Sequence, residues 1–271
     1  MPELPEVETT RRGIEPHINH HTIKDIVIRQ RALRWPVSRQ LCSKARNQKI
    51  NSVGRRGKYL LLRLDNGTII IHLGMSGSLR VCTAESKLRK HDHIDIIMDN
   101  SKILRFHDPR RFGAVLWATG DPENHKLLSA LGLEPLENDF NGSYLYEHSR
   151  KRTASIKSLI MNSHIVVGVG NIYACESLFL AGINPKRKAG SLSLARCEKL
   201  AAAIKQVLNE AISQGGTTLR DYLRENGMPG YFAQKLFVYG KAGEPCAKCG
   251  HPIKRIIQQQ RSTFYCTQCQ K

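Results

Sequence analysis

Two pairs of cysteines near the C-terminus have the spacing of a metal site. Cys246 and Cys249 form one C-x-x-C pair, and Cys266 and Cys269 form a second pair after 16 intervening residues. Four thiolates with this spacing can complete the tetrahedral shell of one zinc ion, and they leave no open position for a substrate. We therefore predict one structural Zn²⁺ ion. A redox-active dithiol pair is the alternative that the spacing leaves open.

The opening stretch MPELPEVE could supply a nucleophile. Removal of Met1 would expose Pro2 as a free secondary amine, and an α-amino group with a pKa of about 7.7–8.0 is partly unprotonated at neutral pH. Such an amine can attack the anomeric carbon of a sugar and form a cationic iminium. Glu3 is next in sequence and could transfer protons. The alternative is that these residues only cap a first helix that begins near Pro5.

The chain is strongly basic, with 42 Lys and Arg against 23 Asp and Glu over 271 residues and a formal net charge of +19. This balance predicts a polyanionic partner such as nucleic acid, although a basic soluble or ribosomal protein has the same balance. Basic clusters recur at 54–59, 108–113, 149–153 and 184–188. Their repetition along the chain favours a groove that follows a polyanion.

The sequence has neither a run of 18 apolar residues nor the order of a signal peptide. We therefore expect a cytoplasmic protein that does not enter a membrane. Cysteine usage agrees with this expectation, because the four cysteines outside the two pairs are isolated in sequence rather than arranged as a disulfide framework.

Several single residues on turns could contact nucleic acid. Phe112 in DPRRFG and Met75 in HLGMSGS are apolar residues on turns, where a side chain could insert into a base stack or pack into a core. A G-x-G turn precedes Asn171, so a helix beginning there would offer free N–H groups to a phosphate. Arg261 lies between the cysteine pairs, in a stretch that could form a hairpin facing a phosphate backbone.

These residues need a scaffold, and the apolar pattern predicts one in parts. Strand-like runs separated by turns at 65–67 and 99–100 predict an antiparallel sandwich or barrel that ends near Trp117. From about residue 120 to 150 the chain is rich in Pro, Gly, Asn and acidic residues, which indicates a linker. Beyond it, apolar residues at every fourth position predict a helix with Ser193 as its N-cap and Gly215 as its stop.

Six motifs, in order along the chain, resemble those of a known family. They are PELPEVE, GRRGKYLL, HLGMSG, HDPRRFG, GVGNIYACE and the C-x-x-C pairs that flank RSTFYC. Together they are similar to bacterial formamidopyrimidine-DNA glycosylase, also called 8-oxoguanine DNA glycosylase/AP lyase. The resemblance runs from the first residues to the last, so it is far more specific than any one motif.

The resemblance implies an α+β multi-domain fold. It consists of an N-terminal antiparallel β-sandwich with a flanking helix, a helical helix-two-turn-helix domain and a C-terminal zinc-finger hairpin, with DNA bound in the cleft between domains. In this chain we expect the catalytic sandwich domain at 1–120, a linker at 121–150, the helix-two-turn-helix domain at 151–235 and the zinc finger at 236–271.

The resemblance also implies roles for the matching residues. Pro2 is similar to the nucleophile that forms the Schiff base, Glu3 to the acid and base of ring opening and elimination, and Lys58 to the lysine that contacts phosphate and assists base removal. Arg261 is assigned a late proton donation in elimination. The implied DNA contacts are Met75, Arg110 and Phe112, which fill the hole left by the extruded nucleotide; Asn171 and Arg261, which hold a phosphate; and His91 and Arg152.

The implied function is base excision repair of double-stranded DNA that contains a damaged base. The chain would excise 8-oxoguanine and formamidopyrimidines through the proline Schiff base and then cut the strand by β,δ-elimination, as a monomer at the bacterial nucleoid. A loop near 214–222 would cover the flipped base. The alternatives are an endonuclease VIII-like enzyme for oxidised pyrimidines and a noncatalytic zinc-bearing DNA-binding protein. The stretch 184–192 is unusually basic and should alter affinity or salt dependence.

Overall fold

The computed structural model of the chain describes residues 2–215 and 236–271. Its described residues form two compact units, one of residues 2–130 and one of residues 131–214 together with 236–271. The change of unit after Ala130 falls inside the stretch expected to be a linker. No helix among the described residues is both long and apolar enough to cross a membrane.

The first unit is a β-sandwich with one long helix packed on it. Its two four-stranded antiparallel sheets have the orders β1-β6-β7-β5 and β2-β3-β4-β8. The elements are α1 Leu4–Ile18, β1 Ile23–Ile28, α2 Gln40–Ala45, β2 Ile50–Arg56, β3 Tyr59–Leu64, β4 Gly67–His72, β5 Ser78–Cys82, β6 Asp92–Met98, β7 Ile103–His107, β8 Ala114–Ala118 and a 3-10 helix Pro122–Asn124.

The strands form where the sequence alternates around tight turns. The turn at 65–66 joins β3 to β4 in register Leu64 to Gly67, and the turn after Met98 joins β6 to β7. Apolar residues from both sheets and from α1 belong to one buried core. The predicted antiparallel sandwich with its flanking helix is therefore confirmed, and the last strand includes Trp117 as expected.

The second unit consists of helices followed by a small hairpin. Its helices are α3 Gly142–Ser149, α4 Ile156–Ile160, α5 Asn171–Leu180, a 3-10 helix Ala189–Ser191 and α6 Leu194–Ser213. In α5 all eight residues of 172–179 are buried, so this helix forms the centre of the unit. The α6 helix has Ser193 as its N-cap, and Gly215 follows it with a φ of 82°, as the sequence predicts.

The stretch 121–150, expected to be a linker, is not irregular throughout. It contains the helix α3, which begins with Asn141 as N-cap and packs on α6. The contact between α3 and α6 is close, because a Cβ atom placed on Gly142 would lie 2.5 Å from the Cα atom of Glu198. The expectation of a linker rested on turn-forming residues, which also include helix caps.

The C-terminal hairpin consists of β9 Ile253–Gln258 and β10 Arg261–Cys266. Its two-residue turn, Gln259 and Gln260, has φ angles of 46° and 60°, as a type I′ turn requires. Apolar side chains of the hairpin pack with Phe179 of α5 and with Val238. The predicted zinc-finger hairpin is therefore a small structure that shares its core with the helical unit.

Candidate functional site

Pro2 and Glu3 lie buried at the N-terminus of α1. The helix begins at Leu4, one residue before the expected start, with Glu3 as its N-cap. The Glu3 backbone N–H donates to Oε2 of Glu6 at 2.8 Å, which is one half of a capping box. The capped-helix interpretation is thus correct. It does not compete with the chemical one, because the cap fixes the backbone of the residue that follows Pro2.

A cluster of ion pairs holds this end of α1 on the sandwich. Glu8 accepts hydrogen bonds from Arg11 and Arg12 of its own helix and from Arg55 of β2, at 3.2 Å for the last. Burial alone would raise the pKa of Glu8, but the hydrogen bonds and positive charges of these arginines lower it below its ordinary value. The N-terminus of α1 is therefore tied to the strand that precedes Lys58.

Lys58 lies in the turn between β2 and β3, close to His72 at the end of β4. Burial, and then the positive charges of Lys58 and Arg34, lower the pKa of His72 to about 4. His72 is therefore neutral at neutral pH. Its Nδ1 atom accepts a hydrogen bond from the Gly74 N–H at 3.0 Å, and its ring lies 4.8 Å from that of Tyr59.

Met75 and Phe112 both lie on loops at the ends of strands, and both side chains are exposed. Their exposed fractions are 38% and 43%, so neither packs into the sandwich core. The Arg110 guanidinium lies 4.8 Å from the centre of the Phe112 ring. Two exposed apolar side chains accompanied by an exposed arginine match the insertion of a wedge into a base stack better than they match core packing.

His91 precedes β6 and has a backbone φ of 115°, which is unusual for a residue other than glycine. Its ring lies 6.1 Å from that of His93 and 6.0 Å from that of His107. His107 in turn contacts Asp92, with 2.9 Å between Nδ1 and Oδ1. His91 thus belongs to a histidine cluster next to the loop that carries Phe112.

In the second unit, Asn171 is held by side-chain contacts that cross the sequence. It is the first residue of α5, and its Oδ1 accepts a hydrogen bond from Nζ of Lys157 at 2.6 Å. Its Nδ2 donates to the backbone oxygen of Ser262 at 2.9 Å, directly after Arg261. The structure therefore brings the N-terminus of α5 next to the hairpin residue Arg261, as a shared phosphate site requires.

Lys157 is a residue that the sequence analysis missed. It is only 2% exposed, and its ammonium group also donates to Oγ1 of Thr263 at 2.6 Å, so it joins α4, α5 and β10. A single lysine in the apolar segment IKSLIM was the available signal. A buried lysine must be paired or hydrogen bonded, but the sequence does not show with which residues.

Arg152 and Arg261 both line a cavity of about 330 Å³. The Arg152 Nε donates to the His148 backbone oxygen at 2.7 Å, and the residue stays exposed. The cavity is further lined by Ala154, Ser158, Leu159, Met161, Asn162, Ile165 and Gln259. Two arginines from distant parts of the sequence therefore converge on one concave surface.

The sulfur atoms of the four paired cysteines lie within 4.8 Å of one another. The Sγ atoms of Cys246 and Cys269 are 3.8 Å apart, and those of Cys249 and Cys266 are 3.5 Å apart. A tetrahedron with Zn–S bonds of about 2.3 Å has edges of about 3.8 Å, so the four residues fit one zinc ion.

The backbone around Cys266 also suits a thiolate ligand. Its Sγ accepts a backbone N–H from Cys269 at 3.5 Å. Burial raises the pKa of Cys266, but hydrogen bonds from this amide, from the Gln268 amide and from the neighbouring thiols outweigh burial and lower the pKa to about 7. The four cysteines therefore form a closed structural site for one Zn²⁺ ion, as predicted.

Glu176 was also missed. It is 3% exposed on α5, and its carboxylate accepts backbone N–H groups from Phe237, Val238 and Tyr239 at 2.8 to 3.0 Å. Burial raises its pKa, and the three hydrogen bonds only partly oppose this. Glu176 thereby ties the helix that begins with Asn171 to the segment that leads into the zinc site.

The expected loop at 214–222 lies, from residue 216 onward, outside the described residues.

The fold and these sites define a class: a zinc-bearing protein with an N-terminal β-sandwich and a helical unit that ends in a zinc-finger hairpin. Three family models match the chain. The formamidopyrimidine-DNA glycosylase N-terminal domain matches residues 1–115, the H2TH domain of the same glycosylase matches residues 131–222, and the zinc finger found in FPG and IleRS matches residues 243–271. The chain belongs to the formamidopyrimidine-DNA glycosylase family.

Named formamidopyrimidine-DNA glycosylases align with this chain over its whole length. It is 59% identical over 271 residues to the formamidopyrimidine-DNA glycosylase of Escherichia coli O6:H1, and 56% identical over 271 residues to that of Thioalkalivibrio sulfidiphilus, with all of each chain covered.

Solved structures of this family have the same fold as this chain. The MutM (Fpg) protein of Thermus thermophilus has a TM-score of 0.89 at 36% identity, covering 99% of this chain and 98% of that one. The wild-type Lactococcus lactis Fpg, in complex with DNA containing N7-benzyl-Fapy-dG, has a TM-score of 0.91 at 34% identity over all of both chains.

Proposed function

We propose that this chain excises oxidised purines, namely 8-oxoguanine and formamidopyrimidines, from double-stranded DNA and then cuts the strand as an AP lyase. The observation that carries the proposal is the buried Pro2 and Glu3 pair at the capped start of α1, in a chain that matches the glycosylase family from end to end. Relatives in this family have been solved with damaged DNA bound, including Fapy-dG.

Pro2 is the proposed nucleophile. Its secondary amine attacks C1′ of the damaged nucleotide, the N–C1′ bond forms as the bond to the base breaks, and the base leaves with a proton. The nitrogen lone pair then expels the ring oxygen, which leaves a cationic iminium on an open sugar. The positive charge acidifies C2′, so loss of a C2′ proton breaks the bond to the 3′ phosphate, and a second elimination releases the 5′ phosphate.

Glu3 is the proposed proton carrier for these steps. Its position next to Pro2 lets one carboxyl group protonate the sugar ring oxygen and later accept the C2′ proton. Its backbone is fixed by Glu6, so the carboxylate starts from a defined place rather than from a frayed terminus. We assign two roles to Lys58, namely contact with a DNA phosphate and assistance in base removal.

The other residues extrude and hold the nucleotide. Taking a base out of duplex DNA costs a few kcal/mol, which inserted side chains and phosphate contacts offset. We assign Met75, Arg110 and Phe112 to the vacated space, where the three residues contact the orphaned cytosine. In the second unit we assign Asn171 and Arg261 to one phosphate, with Arg261 as the late proton donor.

The remaining proposed contacts lie at the edges of these sites. We assign His91 and Arg152 to the DNA backbone. We further propose that the chain acts as a monomer on the bacterial nucleoid in the cytoplasm.

Borohydride trapping tests the proposal directly. A duplex with one 8-oxoguanine opposite cytosine is incubated with the purified chain and with a matched form in which one added residue keeps Pro2 inside a peptide bond. Only the form with free Pro2 should give a covalent adduct, because an amide nitrogen is not a nucleophile. A duplex with an oxidised pyrimidine serves as the second substrate.

Three results would contradict parts of the proposal. An equal adduct from the blocked form would remove Pro2 from the mechanism. Preference for the pyrimidine duplex would favour an endonuclease VIII-like specificity. Tight binding of the duplex without adduct or base release would identify a noncatalytic DNA-binding protein.

A further inference from the structure

Two loops of the first unit carry the exposed apolar side chains. The Met75 loop, residues 73–77, joins β4 to β5, and the Phe112 loop, residues 108–113, joins β7 to β8. The strands that precede them, β4 and β7, belong to different sheets of the sandwich. Each loop therefore crosses from one sheet to the other. Backbone pairing of β4 with β8 and of β5 with β7 aligns the ends of the two loops, but this pairing stops short of Met75 and Phe112.

Asp108 is fully buried, and its two carboxylate oxygens contact different loops. Oδ1 accepts a hydrogen bond from the Ser76 hydroxyl at 3.1 Å, and Oδ2 accepts one from the Gly113 N–H at 2.7 Å. One carboxylate thus joins the residue after Met75 to the residue after Phe112.

The backbone of Asp108 is fixed as well. Its N–H donates to the His91 oxygen at 3.0 Å, and its carbonyl accepts from Nε2 of His93 at 2.8 Å and from the Arg111 N–H at 3.2 Å. All five contacts come from groups within the same unit. A residue held by five hydrogen bonds has little freedom to move with one loop alone.

The two loops also meet through glycines. A Cβ atom on Gly74 would lie 2.5 Å from the Gly113 nitrogen, and a Cβ atom on Gly113 would lie 2.7 Å from the His72 backbone oxygen. Both distances are too short for any side chain, so the backbones are in direct contact beside Asp108.

We propose that Asp108 is a positioning residue that locks the Met75 and Phe112 loops together, so that both apolar side chains enter the base stack as one rigid pair. The inference rests on the proposed function, because it assigns a support to residues that act only on duplex DNA. Asp108 itself contacts neither the substrate nor the reacting atoms.

The chemistry of the tie predicts how substitutions behave. Alanine at position 108 removes both hydrogen bonds and leaves the Gly113 N–H without its acceptor. Asparagine keeps the tie, since its oxygen can accept from Gly113 while its amide donates to the Ser76 hydroxyl, which also accepts. A positioning role therefore predicts rescue by the conservative substitution.

The experiment compares Asp108→Ala, Asp108→Asn and wild type on two substrates. One is the duplex with 8-oxoguanine opposite cytosine, measured under single turnover; the other is a single-stranded oligonucleotide with an abasic site, which has no base to extrude and no stack to fill. Asp108→Ala should lower the duplex rate at least about tenfold and change abasic-site cleavage less than about twofold. Asp108→Asn should stay within about threefold of wild type on both.

Two further variants complete the test. Asp65→Ala, at an exposed turn between β3 and β4, should match wild type on both substrates. Ser76→Ala removes one hydrogen bond only, so it should lower the duplex rate by about threefold even if Asp108→Ala does not fold.

The inference fails if Asp108→Ala and Ser76→Ala keep the wild-type duplex rate, or if they lose both activities in equal proportion. The failure of the proposed function is a different result, in which wild type itself cuts neither substrate.

Discussion

The two units use the same charged residue types in opposite ways. In the sandwich of the first unit, arginines and aspartates are buried as pairs. Arg80 contacts Asp92 at 2.6 Å and Arg105 contacts Asp95 at 2.8 Å, with all four side chains at most 6% exposed. Burial would raise the pKa of Asp92, yet hydrogen bonds from the Arg89 amide, Arg80 and His107 lower it.

In the second unit several cations are exposed and have no such partner among the described residues. Between His148 and Cys197 the sequence has eight lysines and arginines but a single carboxylate, Glu176. That carboxylate accepts hydrogen bonds from the backbone N–H groups of residues 237–239. Lys186 and Lys188, both exposed, form no ion pair with any residue that the structure describes.

This difference shows that net charge alone does not identify a binding surface. Paired charges in the sandwich hold structural elements together, and their contribution to a long-range field is small. Exposed cations without local carboxylates keep their field available for a polyanion. Substitutions in either unit test this difference, and their expected effects differ in size and in kind.

The largest effect should follow from loss of the zinc site. Cys249→Ser removes an exposed ligand with little loss of packing, and a structural zinc ion contributes on the order of 10 kcal/mol to the fold around it. We expect zinc content to fall below one ion per chain and duplex affinity to fall by at least about a hundredfold. Elemental analysis and fluorescence anisotropy measure the two. Cys42→Ser, outside the set, should change neither.

The next effect should come from the buried pairs. Asp92→Asn leaves Arg80 without its partner, and we expect a loss of about 3–5 kcal/mol in the free energy of unfolding. Denaturant titration measures it. The exposed pair of Asp25 and Arg46 provides the control, because Asp25→Asn should cost less than about 1 kcal/mol. Equal losses from the two substitutions would contradict the distinction between buried and surface pairs.

A smaller effect should depend on pH through His72. Its pKa of about 4 in the folded chain lies below the ordinary 6.5, so between these values the unfolded chain binds more protons. The contribution of neutral His72 to stability should therefore be constant above pH 6.5 and fall as the pH drops toward 4, by about 3 kcal/mol at most.

The check is the free energy of unfolding of wild type and His72→Gln at pH 5.0 to 7.5. The difference between the two should shrink as the pH falls. A difference independent of pH would show that His72 titrates normally in the folded chain.

The smallest effect should come from the surface cations. In the double variant Lys186→Gln, Lys188→Gln, stability should change by less than about 0.5 kcal/mol. The slope of log affinity against log salt should weaken by up to about 2, since each phosphate contact contributes about 0.9. Binding titrations at several salt concentrations measure the slope. The matched double variant Lys24→Gln, Lys49→Gln in the first unit should leave this slope unchanged. An equal change in slope from the two double variants would contradict the difference between the two units.

Much of the fold could be predicted from local sequence. The turns at 65–66 and after Met98 fixed two hairpins, and Ser193 fixed the start of α6, because these signals act within a few residues. The helix α3 was missed, since turn-forming residues around it suggested only a linker.

The functional residues, like the fold, could be predicted from the sequence only in part. The zinc cysteines and the Pro2 and Glu3 pair were visible because their spacing carries the chemistry. Lys157, Glu176 and Asp108 were not, because their partners are far away in sequence: Thr263 lies 106 residues from Lys157. The exposure of Met75 and Phe112 was undecided for another reason, since an apolar residue on a turn suits a core as well as a surface.

The contact between Gly74 and Gly113 sets how the first unit can change over evolution. Neither loop has room for a side chain where Gly74 and Gly113 meet, so a displaced backbone in one loop needs a matching change in the other. The exposed side chains of Met75 and Phe112 lie outside this contact. The two loops therefore form one structural element, in which the exposed residues can be substituted while the contact between the two glycines is kept.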